Sequence, residues 1–229
     1  QRKGADMHGT RAFQSAVVGA VVVAGLLAGL TSASAAHATA AGVASAGSAS
    51  VVRNGKTIPV APVGPCSLTG PKNGSSNGAS KNRIVRFGSS TSSCSTDKKK
   101  HTSTSTANGT KFTLSALTDY GGPTIKVASY QVTCAATQGG TNASWQFSGL
   151  TGITVPKQIP NNYKVAVKAA NGRLLANVIL NEVILPSPND GSITLNMVHI
   201  QLFPNGTPKN TTPMSGDVYV GSTSCSPTA

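Results

Sequence analysis

From Lys111 to the C-terminus the chain repeats one pattern: a short run rich in β-branched and apolar residues, then a turn signal. The runs are KFTLSAL, TIKVASYQVTC, ASWQFSGL, YKVAVKA, RLLANVILNEVIL, SITLNMVHIQLF and DVYVGSTSC. Between them lie Gly121-Gly122-Pro123, Gly139-Gly140, Asn171-Gly172, Asp190-Gly191 and Asn205-Gly206. In YKVAVKA, Tyr163, Val165 and Val167 alternate with Lys164, Ala166 and Lys168, the period of a strand with one buried face. Asn-Gly tolerates the left-handed conformations that tight hairpin turns need. No segment beyond residue 38 sustains a 3.6-residue period. Regular strand spacing with short turns predicts an all-β fold, an antiparallel β-sandwich or small barrel.

The first residues read differently. A basic head around Met7 and Arg11 precedes the apolar stretch Ala16 to Leu30, and Ala33-Ser34-Ala35 and Ala36-His37-Ala38 follow as small-residue cleavage sites. This is the pattern of a secretory signal peptide over residues 1–38. The apolar stretch falls short of the roughly 20 residues that a membrane helix needs. The expected mature chain is therefore released, with no stable membrane span after processing and no C-terminal anchor. Residues 39–50, mostly Ala, Gly and Ser, read as a flexible linker. Residues 51–110 read as a basic low-complexity region with short strands such as RIVRFG, and residues 111–229 as the sandwich core.

The chain carries four cysteines. An even count in an exported protein predicts disulfides. Three pairings are possible. Cys134 and Cys225 each close a strand-like run, which favours Cys134–Cys225 and leaves Cys66–Cys94. There is no C-x-x-C and the histidines are scattered, so neither metal nor cofactor is expected.

Charge is the second constraint. The formal net charge is +13, yet charged residues make up only 11% of the chain and aromatics 4%. Between Arg53 and Lys111 the basic residues face a single acid, Asp97. Such a surface favours anionic partners such as wall or surface polymers. Arg83, Arg86, Lys98, Lys99, Lys100 and Lys111 are the candidate contacts. Sequence-specific nucleic-acid binding is not expected, because Phe87 is the lone aromatic among these basic residues.

Glu182 and His199 sit in consecutive runs around Asp190-Gly191. Strands over 173–185 and 192–203 with Asn189 to Gly191 in the turn would bring them close. Hairpin counting sets Glu182 opposite His199, whereas a four-residue loop would set it opposite Met197. The apolar set runs Ile193, Leu195, Met197 and then Val198, Ile200, Leu202, so the inward face switches mid-strand. A β-bulge or a crossing between sheets would do this. Glu182 and His199 are expected to form a structural polar pair. A catalytic triad with Ser222 or Ser224 is the competing reading, but no G-x-S-x-G elbow exists and acids are few, so no enzymatic activity is expected. Trp145, the one tryptophan, is expected in the core. Sequons occur at Asn73, Asn108, Asn142, Asn205 and Asn210.

Three pieces in order resemble the actinobacterial secreted proteins of the choice-of-anchor P family. They are Leu180-Asn181-Glu182, Asn196-Met197-Val198-His199, and Gly216-Asp217-Val218 through Gly221 to Cys225. The resemblance covers about residues 111–226, and Cys134 stands where that family tends to carry a partner cysteine. It implies an extracellular location and a β architecture rather than an activity or a ligand.

Overall fold

The computed structural model describes residues 42–228, so the expected signal peptide over 1–38 lies outside the described residues. Its strands are β1 (Val43–Arg53), β2 (Lys56–Val60), β3 (Cys66–Ser67), β4 (Asn73–Ser76), β5 (Ala79–Lys81), β6 (Val85–Phe87), β7 (Ser90–Asp97), β8 (Thr102–Leu114), β9 (Ile125–Thr137), β10 (Gly140–Ser148), β11 (Tyr163–Lys168), β12 (Leu174–Ile184), β13 (Ile193–Leu202) and β14 (Met214–Cys225). One 3₁₀ turn, Thr118–Tyr120, follows β8.

Two antiparallel sheets pack face to face as a sandwich. Sheet A runs β11-β12-β13-β14-β1-β2, with β3 beside β1. Sheet B runs β10-β9-β8-β6-β5, with β7 paired to both β8 and β4. Both sheets keep open edges, so the closed barrel does not form.

Two expectations on organisation are corrected. Residues 43–50 are not linker: they belong to β1, which pairs with β14 over Val43↔Ser224 to Arg53↔Met214. Ala44, Ala46 and Ala49 point into the core at 5% exposure or less, where a larger residue would overfill the space. The 51–110 region is also part of the sandwich. Ser90, Ser92, Ser103 and Ser105 are buried, while Thr91, Ser93, Thr104 and Thr106 face outward. Small hydroxyl residues fill the inner face there, so hydropathy shows no alternation although the geometry has one.

Both disulfides join the two sheets. Cys66 of β3 bonds Cys94 of β7, and Cys134 of β9 bonds Cys225 of β14. The Cys134 and Cys225 strand ends are thus partners across the sandwich, not neighbours in one sheet. The core is uneven along its length. Phe87, Phe112, Leu114, Leu117 and Ile125 fill one end. The other end holds Cys134, Ala136 and Cys225 as a separate small cluster.

The face switch in β13 is real, but it is neither a bulge nor a crossing. Leu180 pairs with Val198 and Glu182 with Asn196, in one unbroken register. The pair between them, Asn181 with Met197, drops out. The same row is skipped in β13–β14 at Gly221 and in β14–β1 at Ala46. Asn181 (φ 51°) and Gly221 (φ 64°) are left-handed, and this reverses which face the following residues present. Gly221 is required for a second reason: a Cβ there would lie 2.9 Å from Val132 Cγ1. Sheet B has a matching line, where Thr110↔Ser129 is followed by Phe112↔Val127 and Lys111 is left-handed. The skipped row frees backbone groups inside the sandwich. Tyr130 of sheet B answers one of them, its hydroxyl donating to the Ala46 carbonyl at 2.8 Å.

Candidate functional site: a cationic cleft at one end of the sandwich

β6, β8 and β9 share a register that sets Arg86 opposite Thr113 and Thr113 opposite Lys126. All three point outward, since the next row, Val85, Leu114 and Ile125, is buried. Arg86 and Lys126 are therefore two strand spacings apart, roughly 10 Å. Arg83 is offered from the β5–β6 turn, where Asn82 (φ 43°) and Arg83 (φ 56°) are both left-handed. The amides of Ser115 and Ala116 donate to the Ile84 carbonyl at 2.9 and 3.2 Å, fixing the loop after β8 against this turn. Arg53 arrives from sheet A at the end of β1, and its Nη2 donates to Asp119 Oδ2 at 3.3 Å.

These elements enclose a cleft of about 700 Å³. Its charged lining is Arg53, Arg83, Arg86 and Lys126 against Asp119 alone. With Asp119 64% exposed, its charge is partly screened by water, so the cleft keeps a positive potential.

The expected cationic residues do not form one surface. Arg83 and Arg86 line the cleft. Lys98, Lys99 and Lys100 sit in the β7–β8 turn, where the Lys99 and Lys100 amides donate to Asp97 Oδ1 at 3.0 and 3.2 Å. From Thr102 to Thr113 is roughly 35 Å of strand, so the turn lies at the far end of the sandwich. Lys111 occupies the kinked row of β8 and is not part of the cleft lining. Arg53 and Lys126 were missed as site residues. Lys126 carried a signal: between Ile125 and Val127 it had to face outward. Arg53 carried none, because its place depends on β1 being a strand.

The second candidate is a polar chain on the outer face of sheet A. His199 Nδ1 lies 2.8 Å from Glu182 Oε1 and Nε2 lies 2.8 Å from Asp217 Oδ1. Asn196 Nδ2 donates to Glu182 Oε2 at 2.7 Å, and Ser222 Oγ donates to Asn196 Oδ1 at 2.7 Å. Tyr219 stacks on the imidazole at 4.4 Å. Glu182 does not sit opposite His199 or Met197; its ladder partner is Asn196, and His199 pairs with Ile179. The left-handed Asn181 turns Glu182 onto the imidazole's face.

Burial pulls the His199 pKa down, but hydrogen bonds and charge from Asp217 and Glu182 outweigh it and carry it up to about 9. Burial raises the Glu182 carboxyl, and its bonds to His199 and Asn196 overcome this and hold it below its ordinary value. A cationic imidazole between two carboxylates has no lone pair with which to accept a proton from a nucleophile. Ser222 bonds Asn196 rather than the ring.

Trp145 is half-buried, stacked on Phe147 and packed against the core. Among the described residues there is no cluster of His, Cys, Asp or Glu that could hold a metal ion, and no helix long and apolar enough to cross a membrane. The two disulfides suggest an oxidising, extracellular compartment. No known protein family, curated protein or solved structure matches the chain.

Proposed function

We propose that this is a secreted, non-enzymatic protein that associates with the cell envelope by holding anionic groups of envelope polymers in the Arg53–Arg83–Arg86–Lys126 cleft. The observation that carries this reading is the convergence of four cations from three separate parts of the chain on one cleft. Arg83 adds to it. An arginine in a left-handed turn position costs roughly 1–2 kcal/mol relative to glycine, and such local strain tends to persist where a side chain has a task. Arginine's planar fork suits phosphate and carboxylate oxygens. The leader-like N-terminus and the resemblance to choice-of-anchor P proteins support the extracellular placement.

Retention on washed cell walls as salt rises tests the proposal. A protein held by this cleft elutes as ionic strength grows. The Arg83→Ala/Arg86→Ala/Lys126→Ala variant should elute at clearly lower salt than the parent. The Lys98→Ala/Lys99→Ala/Lys100→Ala variant, with the same loss of charge, should elute close to the parent. Equal effects from the two triples would mean that net charge, not the cleft, holds the protein.

A further inference from the structure

The outer face of sheet B carries a second surface of different chemistry. Beyond the kinked row that holds the exposed Lys111 and Ala128, the outward rows of β4, β7, β8, β9 and β10 up to Ser95, Thr104 and Asn142 hold hydroxyl and carboxamide side chains with one alanine, and no ionisable group. In a chain of net charge +13 this is an uncharged field several strands wide.

Three of its rows carry hydrogen bonds that run across the strands, one of them between Thr106 and Thr133 at 3.1 Å. Gln146 Nε2 donates to Gln131 Oε1 at 3.1 Å, and Gln131 Nε2 donates to Asn108 Oδ1 at 2.7 Å. In the next row Ser129 and Ser148 share a hydrogen bond of 2.7 Å, while Thr110 bonds Ser89 at 3.0 Å. Between the carboxamide row and the hydroxyl row lies a groove of about 350 Å³. A second hollow of about 440 Å³, over β4 and β7, shares Asn108 with it. The ladder fixes the carboxamide rotamers before any ligand arrives, which lowers the ordering cost of binding. Each glutamine keeps a second N–H, and Asn108 keeps both, outside the ladder bonds.

We infer that this face binds a neutral polysaccharide, laid across the strands along the carboxamide row. The occupant follows from charge and repeat. An uncharged field of donors and acceptors neither attracts nor repels ions, so it suits a neutral polyhydroxylated partner. Its donors recur at the strand spacing, about 4.8 Å, close to the length of one pyranose unit. Trp145 lies on the opposite face of β10, paired with the buried Val132, so recognition here is by hydrogen bonds and not by stacking on an aromatic ring.

The surface is separate from the cationic cleft, and salt tells the two apart. Native affinity electrophoresis of the chain, secreted from a bacterial host so that Asn73, Asn108 and Asn142 carry no eukaryotic glycan, is run through gels containing dextran, yeast mannan or mixed-linkage β-glucan. At least one polymer should retard the protein, with retardation unchanged as salt is raised. Gln131→Ala/Gln146→Ala should abolish the retardation while leaving the melting temperature and the retention on walls near those of the parent. Arg83→Ala/Arg86→Ala should leave it intact. No retardation by any of the three polymers, retardation that salt abolishes, or retardation that survives the double glutamine variant would each overturn the inference.

Discussion

Glu182 and His199 are not cross-strand partners, yet their side chains meet at 2.8 Å. The left-handed Asn181 between the Leu180 and Glu182 ladder positions makes this possible. Together with Asp217 on β14, the pair ties three adjacent strands of sheet A through one buried imidazolium.

That clamp has a pH signature. The folded His199 pKa stands near 9, above its ordinary 6.5. The stability it contributes is fully present below about pH 6.5 and is lost as pH rises through 9. Glu182, held below its ordinary value, adds stability above that value and loses it as pH falls through the depressed one. The melting temperature should therefore fall between pH 6.5 and 9, by an amount equivalent to roughly 1–3 kcal/mol after solvent screening. His199→Gln should flatten this decline. In Glu182→Gln, the imidazole should titrate at lower pH by NMR, with a stability loss on the order of 1 kcal/mol. An unchanged His199 titration in Glu182→Gln would contradict the clamp.

Tyr130 should be the costliest hydroxyl to remove. Tyr130→Phe leaves the Ala46 carbonyl without the partner it needs in the skipped row. A loss of roughly 1–3 kcal/mol in denaturant unfolding is expected. A loss within about 0.5 kcal/mol, the range of a neutral surface change, would mean that the kinked row is satisfied in another way.

Ser105 should behave in the opposite sense. Its Oγ is buried without a hydrogen-bond partner, so Ser105→Ala removes an unpaired polar group and changes little volume. Stability should hold or rise by about 1 kcal/mol. A clear drop in the unfolding midpoint would contradict this.

What could be read in the sequence divides along a physical line. The strands from β9 to β14 were legible because large apolar residues alternate with polar ones, as in Tyr163 to Lys168. β1, β7 and most of β8 were not. In β1 the inner positions are small, Ala44, Ala46 and Ala49, and give only a weak apolar signal against the serines outside. In β7 and β8 they include Ser90, Ser92, Ser103 and Ser105, no more apolar than the threonines and serines outside; in Thr102 to Ala107 the β-branched threonine faces out and the smaller residue faces in. The cleft was half legible. Arg83 and Arg86 stood out in a charge run, but Lys126 joins them only through a three-strand register, and Arg53 only through β1. The polar pair was visible as composition, but its third member, Asp217, is set by the β13–β14 register, where Gln201 is its ladder partner.

The two disulfides should not be equivalent. Cys134–Cys225 spans 91 residues and Cys66–Cys94 spans 28. In the chain-entropy view they restrict the unfolded chain by roughly 4.5 and 3.5 kcal/mol. Cys134→Ala/Cys225→Ala should lower the melting temperature more than Cys66→Ala/Cys94→Ala, because it also empties part of the small end cluster. The reverse order would show that loop length and that cluster do not govern the difference.

Anionic polymer should bind in the cleft and not at the lysine turn. Backbone amide shifts during titration of the labelled protein with inorganic polyphosphate test it most directly. The largest changes should fall on Arg53, Arg83, Arg86 and Lys126, with smaller ones at Lys98, Lys99 and Lys100, and Arg83→Ala/Arg86→Ala should remove most of the cleft response. Changes centred on Lys98 to Lys100, or spread evenly over every basic residue, would contradict the account.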